Sequence, residues 1–201
     1  DWIFEPDGSL RDIYIQDVTL TEWEQLIDFL NLNYEIKFGH DEQNQIDKKY
    51  VLDYLKDGTG EMEGKVLKIN SNGIHFHCHF FLHNQIEFDI DPRQVKTTSD
   101  FKNIENFMIA ISRELKKQVT LTDENLPEFP LVKIDFENSI NTVLTLKEAQ
   151  ELTRKQNSIM TKLAIMKAKF LLRFFPRAFE RKVLKSANEP YSATQKNKNA
   201  W

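Results

Sequence analysis

KVLKINSNGIHFHCHFFLHNQIEFDID, residues 65–91, decides how this chain folds. Three short runs rich in β-branched and aromatic residues, KVLKI, IHFHCHFFL and QIEFDID, are separated by turn residues. The first turn is Asn70-Ser71-Asn72-Gly73; the second lies near His83-Asn84. That pattern predicts a three-strand antiparallel meander, stopped by Asp91-Pro92. Along a strand, residues two apart share a face. Ile74, Phe76, Cys78, Phe80 and Leu82 therefore form a core face, and His75, His77 and His79 point the other way. Cys78, inside, reads as a small buried hydrophobe. In the next strand Ile86, Phe88 and Ile90 face the core, while Glu87, Asp89 and Asp91 share the outer face. An odd-length loop around His83 sets His79 near Glu87, His77 near Asp89 and His75 near Asp91. Such cross-strand pairs contribute about a few tenths of a kcal/mol each.

Working outward, the start of the chain reads as a hairpin. Ile3 and Phe4 precede the turn residues Pro6-Asp7-Gly8-Ser9, and Ile13 and Ile15 alternate with Tyr14 and Gln16. A helix over 19–31 follows, capped by Thr19 or Thr21, with Trp23, Leu26, Ile27 and Leu30 on one face. YEIKFG reads as a strand of a second layer, and Asp47 to Leu55 as a short helix. Gly58, Gly60 and Gly64 lack the spacing of a phosphate-binding loop. Beyond the meander, Ser99 or Asp100 caps a helix over 99–117. Its Phe101, Ile104, Met108, Ile111 and Leu115 keep 3–4 spacing and pack on the sheet. VTLT is a short strand, residues 126–130 are a stiff connector, and LVKIDF is the final strand.

The character then changes. Residues 1–142 carry 14 Lys and Arg against 27 Asp and Glu, a balance of −13; residues 143–201 carry 13 against 4, or +9. Thr145 with Glu148 starts a basic amphipathic helical extension over 143–185, and 186–201 read as a flexible tail. An acidic body joined to a basic tail bears on the choice of partner. The acidic body argues against nucleic acid as a primary partner. The basic, aromatic stretch 159–185 allows peripheral membrane contact, and the basic helix leaves a further alternative, a membrane- or nucleic-acid-associated adaptor.

Composition excludes several classes. A single cysteine rules out an internal disulfide and a CxxC zinc pair, and fits a reducing cytoplasm. No apolar run has the length of a transmembrane helix. The start, Asp1-Trp2-Ile3-Phe4, has no signal-peptide pattern and reads as trimmed or partial. No GxSxG, HExxH or P-loop occurs, so no catalytic residue and no cofactor is assigned. His75, His77 and His79, with Glu87 or Asp89 opposite, carry the runner-up reading: a mixed histidine–carboxylate metal site or enzyme. A flat strand face lacks convergent ligands, so the preferred reading is a solvated face. A helix closing over it would make the histidines a pH-sensitive layer.

The segments WIFEPDGSLRDIYIQDVTLTEWEQLIDFL, HFFLHNQIEFDIDPRQV, FMIAISRELKKQVTLTDEN and LPEFPLVKID, in that order, resemble small bacterial α/β proteins grouped with the immunity proteins of polymorphic toxins. The resemblance covers residues 2–136 and leaves the basic extension unexplained. It implies a non-enzymatic cytoplasmic inhibitor that binds a cognate toxin domain. An acidic surface suits a basic partner of that kind. The resemblance fixes no contact residue. Charge alone nominates Glu22, Glu24 and Asp28 of the first helix and Glu87, Asp89 and Asp91 of the meander as partner-binding. The fold expected is α+β: a mainly antiparallel sheet packed by two helices, with a long C-terminal helical extension.

Overall fold

The structure, a computed structural model, describes residues 2–136, 140–143, 145, 147–148, 151 and 154. The chain divides into two compact units, Asp1–Ala149 and Gln150–Trp201. The first unit is α+β. One antiparallel sheet of eight strands runs in the order β2-β3-β4-β5-β1-β6-β7-β8. The strands are β1 (Arg11–Gln16), β2 (Glu35–Phe38), β3 (Val66–Ser71), β4 (Ile74–His79), β5 (Gln85–Ile90), β6 (Val119–Asp123), β7 (Pro130–Asp135) and β8 (Ile140–Val143). The helices are α1 (Leu20–Asn33), α2 (Lys48–Lys56) and α3 (Thr98–Leu115).

The meander forms where its periodicity predicts, but β4 stops at His79, and Leu82, which parity placed on the core face, is 49 % exposed. β3 pairs β4 from Val66↔His79 to Ser71↔Ile74, and β4 pairs β5 at His77↔Asp89 and Cys78↔Phe88. The β3–β4 turn needs left-handed backbone at Asn72 (φ 51°) and Gly73 (φ 87°), which these residue types tolerate. Ile74, Phe76, Cys78, Phe80, Ile86, Phe88 and Ile90 are all buried. Burial pushes the Cys78 thiol well up, so it stays protonated and inert.

α1 and α3 cover that apolar face. Thr19 caps α1: its hydroxyl accepts the Glu22 N–H, and the Glu22 carboxylate accepts the Thr19 N–H at 2.7 Å. Trp23, Leu26, Ile27 and Leu30 are buried, as their spacing predicts. In α3 the cap is Thr97, not Ser99 or Asp100; Asp100 is instead the third-residue partner of the capping box. Phe107, three residues after Ile104 and four before Ile111 and so on the same face though not named from the spacing, is the deepest aromatic of α3. It stacks on Phe76 at 3.9 Å and meets Phe88 edge-on at 5.4 Å.

Three expectations are corrected. There is no N-terminal hairpin: Trp2–Phe4 is a 3-10 turn whose Ile3 and Phe4 are buried. Buried Arg11 holds it, its guanidinium donating to the Ile3 carbonyl at 2.6 Å and the Glu5 carbonyl at 3.3 Å. β2 belongs to no second layer but forms one edge of the single sheet, paired with β3. LVKIDF is not the last strand, because β8 pairs with it from Val132↔Val143 to Asp135↔Ile140. The expected short helix forms as α2 and packs on α1, while α1 and α3 are the two helices that pack on the sheet.

The Thr145–Glu148 capping box forms, with Thr145 N–H and hydroxyl both donating to the Glu148 carboxylate at 2.8 and 2.7 Å. In the second unit only Glu151 and Arg154 are described, both helical and exposed. The rest of the expected 143–185 helix, the 159–185 stretch and the 186–201 tail lie outside the described residues. Among the described residues no helix is long and apolar enough to cross a membrane.

Candidate functional site

The six nominated carboxylates do not share a surface. Glu22, Glu24 and Asp28 lie on α1, which packs on the apolar face of the sheet. Glu87 and Asp89 project from the opposite face of β5. The two sets also differ in what they touch.

On the outer sheet face, strand register lines polar residues into rows. One row runs His77, Asp89, Asp12 and Thr122 across β4, β5, β1 and β6. A second sets Glu87 opposite Tyr14 and Tyr14 opposite Thr120. Far from being solvated, the centre of this face is covered: Asp12 is 2 % exposed, Tyr14 3 % and Asp89 8 %. Part of the cover is the β6–β7 loop, whose Asn125 N–H donates to Asp12 Oδ2 at 2.7 Å. The Tyr14 hydroxyl donates to the same carboxylate at 2.9 Å.

The histidine pairing differs from expectation in an informative way. His77 does meet Asp89, with Nδ1 3.1 Å from Oδ1. His79 also turns to Asp89, with Nε2 2.9 Å from Oδ2, rather than to Glu87. One carboxylate is thus held by two imidazoles. An ionised carboxylate only accepts, so both contacting nitrogens carry hydrogen. His79 stacks on Phe81 with ring centroids 5.1 Å apart and planes 6° from parallel. His75 does not reach Asp91. Its backbone N–H donates to Gln94 Oε1 at 2.8 Å and its carbonyl accepts from Gln94 Nε2. Asp91 caps a 3-10 turn at Pro92–Gln94 and binds the Arg93 guanidinium at 2.6 Å.

Electrostatics separates these groups. The hydrogen bond that His79 donates to Asp89 raises its imidazole above the ordinary 6.5, against the opposing effect of burial. Burial pushes Asp89 up, but the bonds from His77 and His79 outweigh it and hold the carboxyl below 3.8. Asp12 moves the other way, raised first by burial and then by the charge of Asp89 opposite. Glu87 is raised by burial and by Asp12. Like charges directly opposite on neighbouring strands repel. The two histidines compensate for that repulsion at Asp89; Tyr14 and Asn125 compensate at Asp12.

The cluster is closed on itself. Among the described residues no buried side-chain nitrogen or oxygen lacks a hydrogen-bond partner. Nor, among them, are three or more His, Cys, Asp or Glu side chains placed to hold a metal ion. His75, His77 and His79 therefore do not converge as ligands. The sequence pointed to His77 and Asp89 by parity. It missed Asp12 and Tyr14, whose role follows from β1 lying beside β5, where Asp12 meets Asp89 and Tyr14 meets Glu87 from a distant part of the chain.

α1 presents the other set to solvent. Glu22 is engaged by the cap and by Lys117 at 3.2 Å. Asp28 pairs with Lys48 at 2.8 Å yet keeps 64 % of its side chain exposed. Glu24 makes no hydrogen bond or ion pair among the described residues. Glu24, Asp28 and Leu32 follow at i, i+4 and i+8, so they form one stripe. An open groove of about 650 Å³ runs beside it, with Phe29 and Leu32 as apolar lining and Glu114 of α3 on the far wall. Leu32 is 84 % exposed.

No family model, no curated protein and no solved structure matches this chain.

Proposed function

We propose that this protein is a non-enzymatic protein-binding module, of the kind that inhibits a bacterial toxin domain, and that it meets its partner through the solvent face of α1. The observation that carries the reading is the α1 groove, whose walls include Glu24, Asp28 and Glu114 together with Phe29 and a Leu32 left 84 % exposed. A groove that combines an exposed apolar side chain with carboxylates suits a partner segment with an apolar contact flanked by Lys or Arg. The −13 balance of residues 1–142 adds long-range attraction for such a partner. Glu87, Asp89 and Asp91 leave the partner-binding set: the first two are half-buried or buried, and Asp91 caps the 3-10 turn and keeps only 28 % of its side chain exposed, against 64 % for Asp28.

The test begins with affinity capture from the native host and identification of any stoichiometric partner. The dissociation constant of the purified pair is then measured for the unmodified chain and for Leu32→Asp and Glu24→Lys. Loss of about tenfold or more in affinity for either variant, with unchanged melting, supports the reading. A partner whose affinity ignores both variants contradicts it. A metal- or carboxylate-dependent enzyme at the histidine strand has weaker support, since His77 and His79 both turn to Asp89 and, among the described residues, no three His, Cys, Asp or Glu side chains are placed to hold a metal ion.

A further inference from the structure

The row that contains His77 continues to the edge of the sheet. Lys68 of β3 lies opposite His77, and Lys37 of β2 lies opposite Lys68. Two ammonium groups directly opposite each other repel. Here they do so within a strongly acidic body, and a single carboxylate lies between them. Glu42 Oε2 is 2.8 Å from Lys37 Nζ, and Oε1 is 3.8 Å from Lys68 Nζ. Glu42 reaches this position from the loop after β2, where it adopts a left-handed φ of 48°. The loop is tied back by an antiparallel bridge between Phe38 and Gln43.

A cavity of about 280 Å³ opens at the same place, its walls including Lys37, Glu42, Lys68, Asn70 and His77. Glu35, the other acidic wall residue, accepts a hydrogen bond from Asn70 Nδ2 at 2.8 Å. His77 is oriented by Asp89 through Nδ1, which leaves Nε2 with no hydrogen bond among the described residues. In neutral imidazole that nitrogen accepts a hydrogen.

We propose that this cavity binds a small ligand through an oxyanion group, a carboxylate or a phosphate, that takes the place of the Glu42 carboxylate between Lys37 and Lys68. Glu42 shows where an oxyanion sits. It is itself half exposed, and exposed ion pairs are weak enough to exchange. A free oxyanion gains what Glu42 has, without a left-handed residue to hold it there. A hydroxyl on the ligand, or a protonated phosphate oxygen, would donate to His77 Nε2. The volume lies at or below the lower end for ligand pockets, so the ligand is of metabolite size.

The experiment uses the full chain, titrated with inorganic phosphate and separately with succinate at constant ionic strength, and follows backbone amides and the His77 ring by NMR. Saturable shifts at Lys37, Lys68 and His77 are expected. Glu42→Gln should tighten binding by about tenfold and Lys68→Gln should weaken it by about tenfold. Stronger binding of one probe identifies the headgroup. Shifts that grow without saturating overturn the proposal, and so does either variant leaving the affinity unchanged. Melting curves of both variants confirm that they fold.

Discussion

The solvent face of α1 and the outer face of β5 carry the same residue types to opposite ends. Both expose a run of carboxylates to a reading of the sequence. On α1, Glu24 has no partner among the described residues, and Leu32, about two turns further along the same stripe, is 84 % exposed. On β5, Asp89 is enclosed, held by two histidines and opposed by Asp12. The difference lies in neighbours. The outward stripe of a helix meets solvent, whereas the outer face of a central strand meets two flanking strands and whatever loop crosses them. Glu24 and Asp28 on the first keep their side chains toward solvent, Asp28 64 % exposed even in its pair with Lys48; Asp89 on the second is part of the fold. The comparison can be broken by substitutions that should move stability on β5 and binding on α1.

The largest stability effect is expected at Asp89. Asp89→Asn places an amide against imidazole N–H groups and should cost about 1–3 kcal/mol in urea unfolding. A change within error would mean the clamp is incidental. Asp12→Asn should act in the opposite direction. It keeps an acceptor for Tyr14 and Asn125 while removing a charge that burial and Asp89 disfavour, so unfolding at neutral pH should become harder by up to about 1 kcal/mol. A loss there comparable to that at Asp89 would show the two carboxylates to be equivalent.

The pH dependence sharpens the same contrast. His79 is raised above 6.5 in the fold. Its contribution is therefore complete below 6.5 and is lost as the pH rises through the elevated value. Asp89 is lowered below 3.8, so its share is present above 3.8 and is lost only as the pH falls through the lower value. Denaturation of the parent and His79→Gln should differ most near pH 5.5 and converge by about pH 9. With His79 about a third exposed, the gap should stay under about 1 kcal/mol. A gap that widens toward alkaline pH would contradict the assignment. Smallest of all are the α1 changes: Glu24→Gln and Leu32→Ala should shift unfolding by no more than about 0.5 kcal/mol.

Much of the fold was legible because local rules govern it. Alternation in Ile74–His79 and Gln85–Ile90 fixed the core face, and 3–4 spacing placed Trp23, Leu26, Ile27 and Leu30 of α1. What escaped depends on strands distant in the chain. Nothing near Asp12 announces that β1 enters between β5 and β6, so the burial of Asp12, Tyr14 and Asp89 could not be read. Ile3 and Phe4 looked like a strand because apolar pairs do. Arg11, which recruits their segment as a 3-10 turn, shows no sign in sequence of being buried. β8 pairs on β7 through only four residues, INTV, too short a run for periodicity to mark.

The central claim is that binding and folding use different carboxylates. It is tested most directly by measuring, on one captured partner, the affinity and melting temperature of Leu32→Asp, Glu24→Lys and Glu87→Gln beside the parent chain. The account predicts that Leu32→Asp and Glu24→Lys lose affinity at unchanged melting temperature, and that Glu87→Gln keeps full affinity. Retained affinity in both α1 variants together with loss in Glu87→Gln would place the interface on the sheet and contradict it.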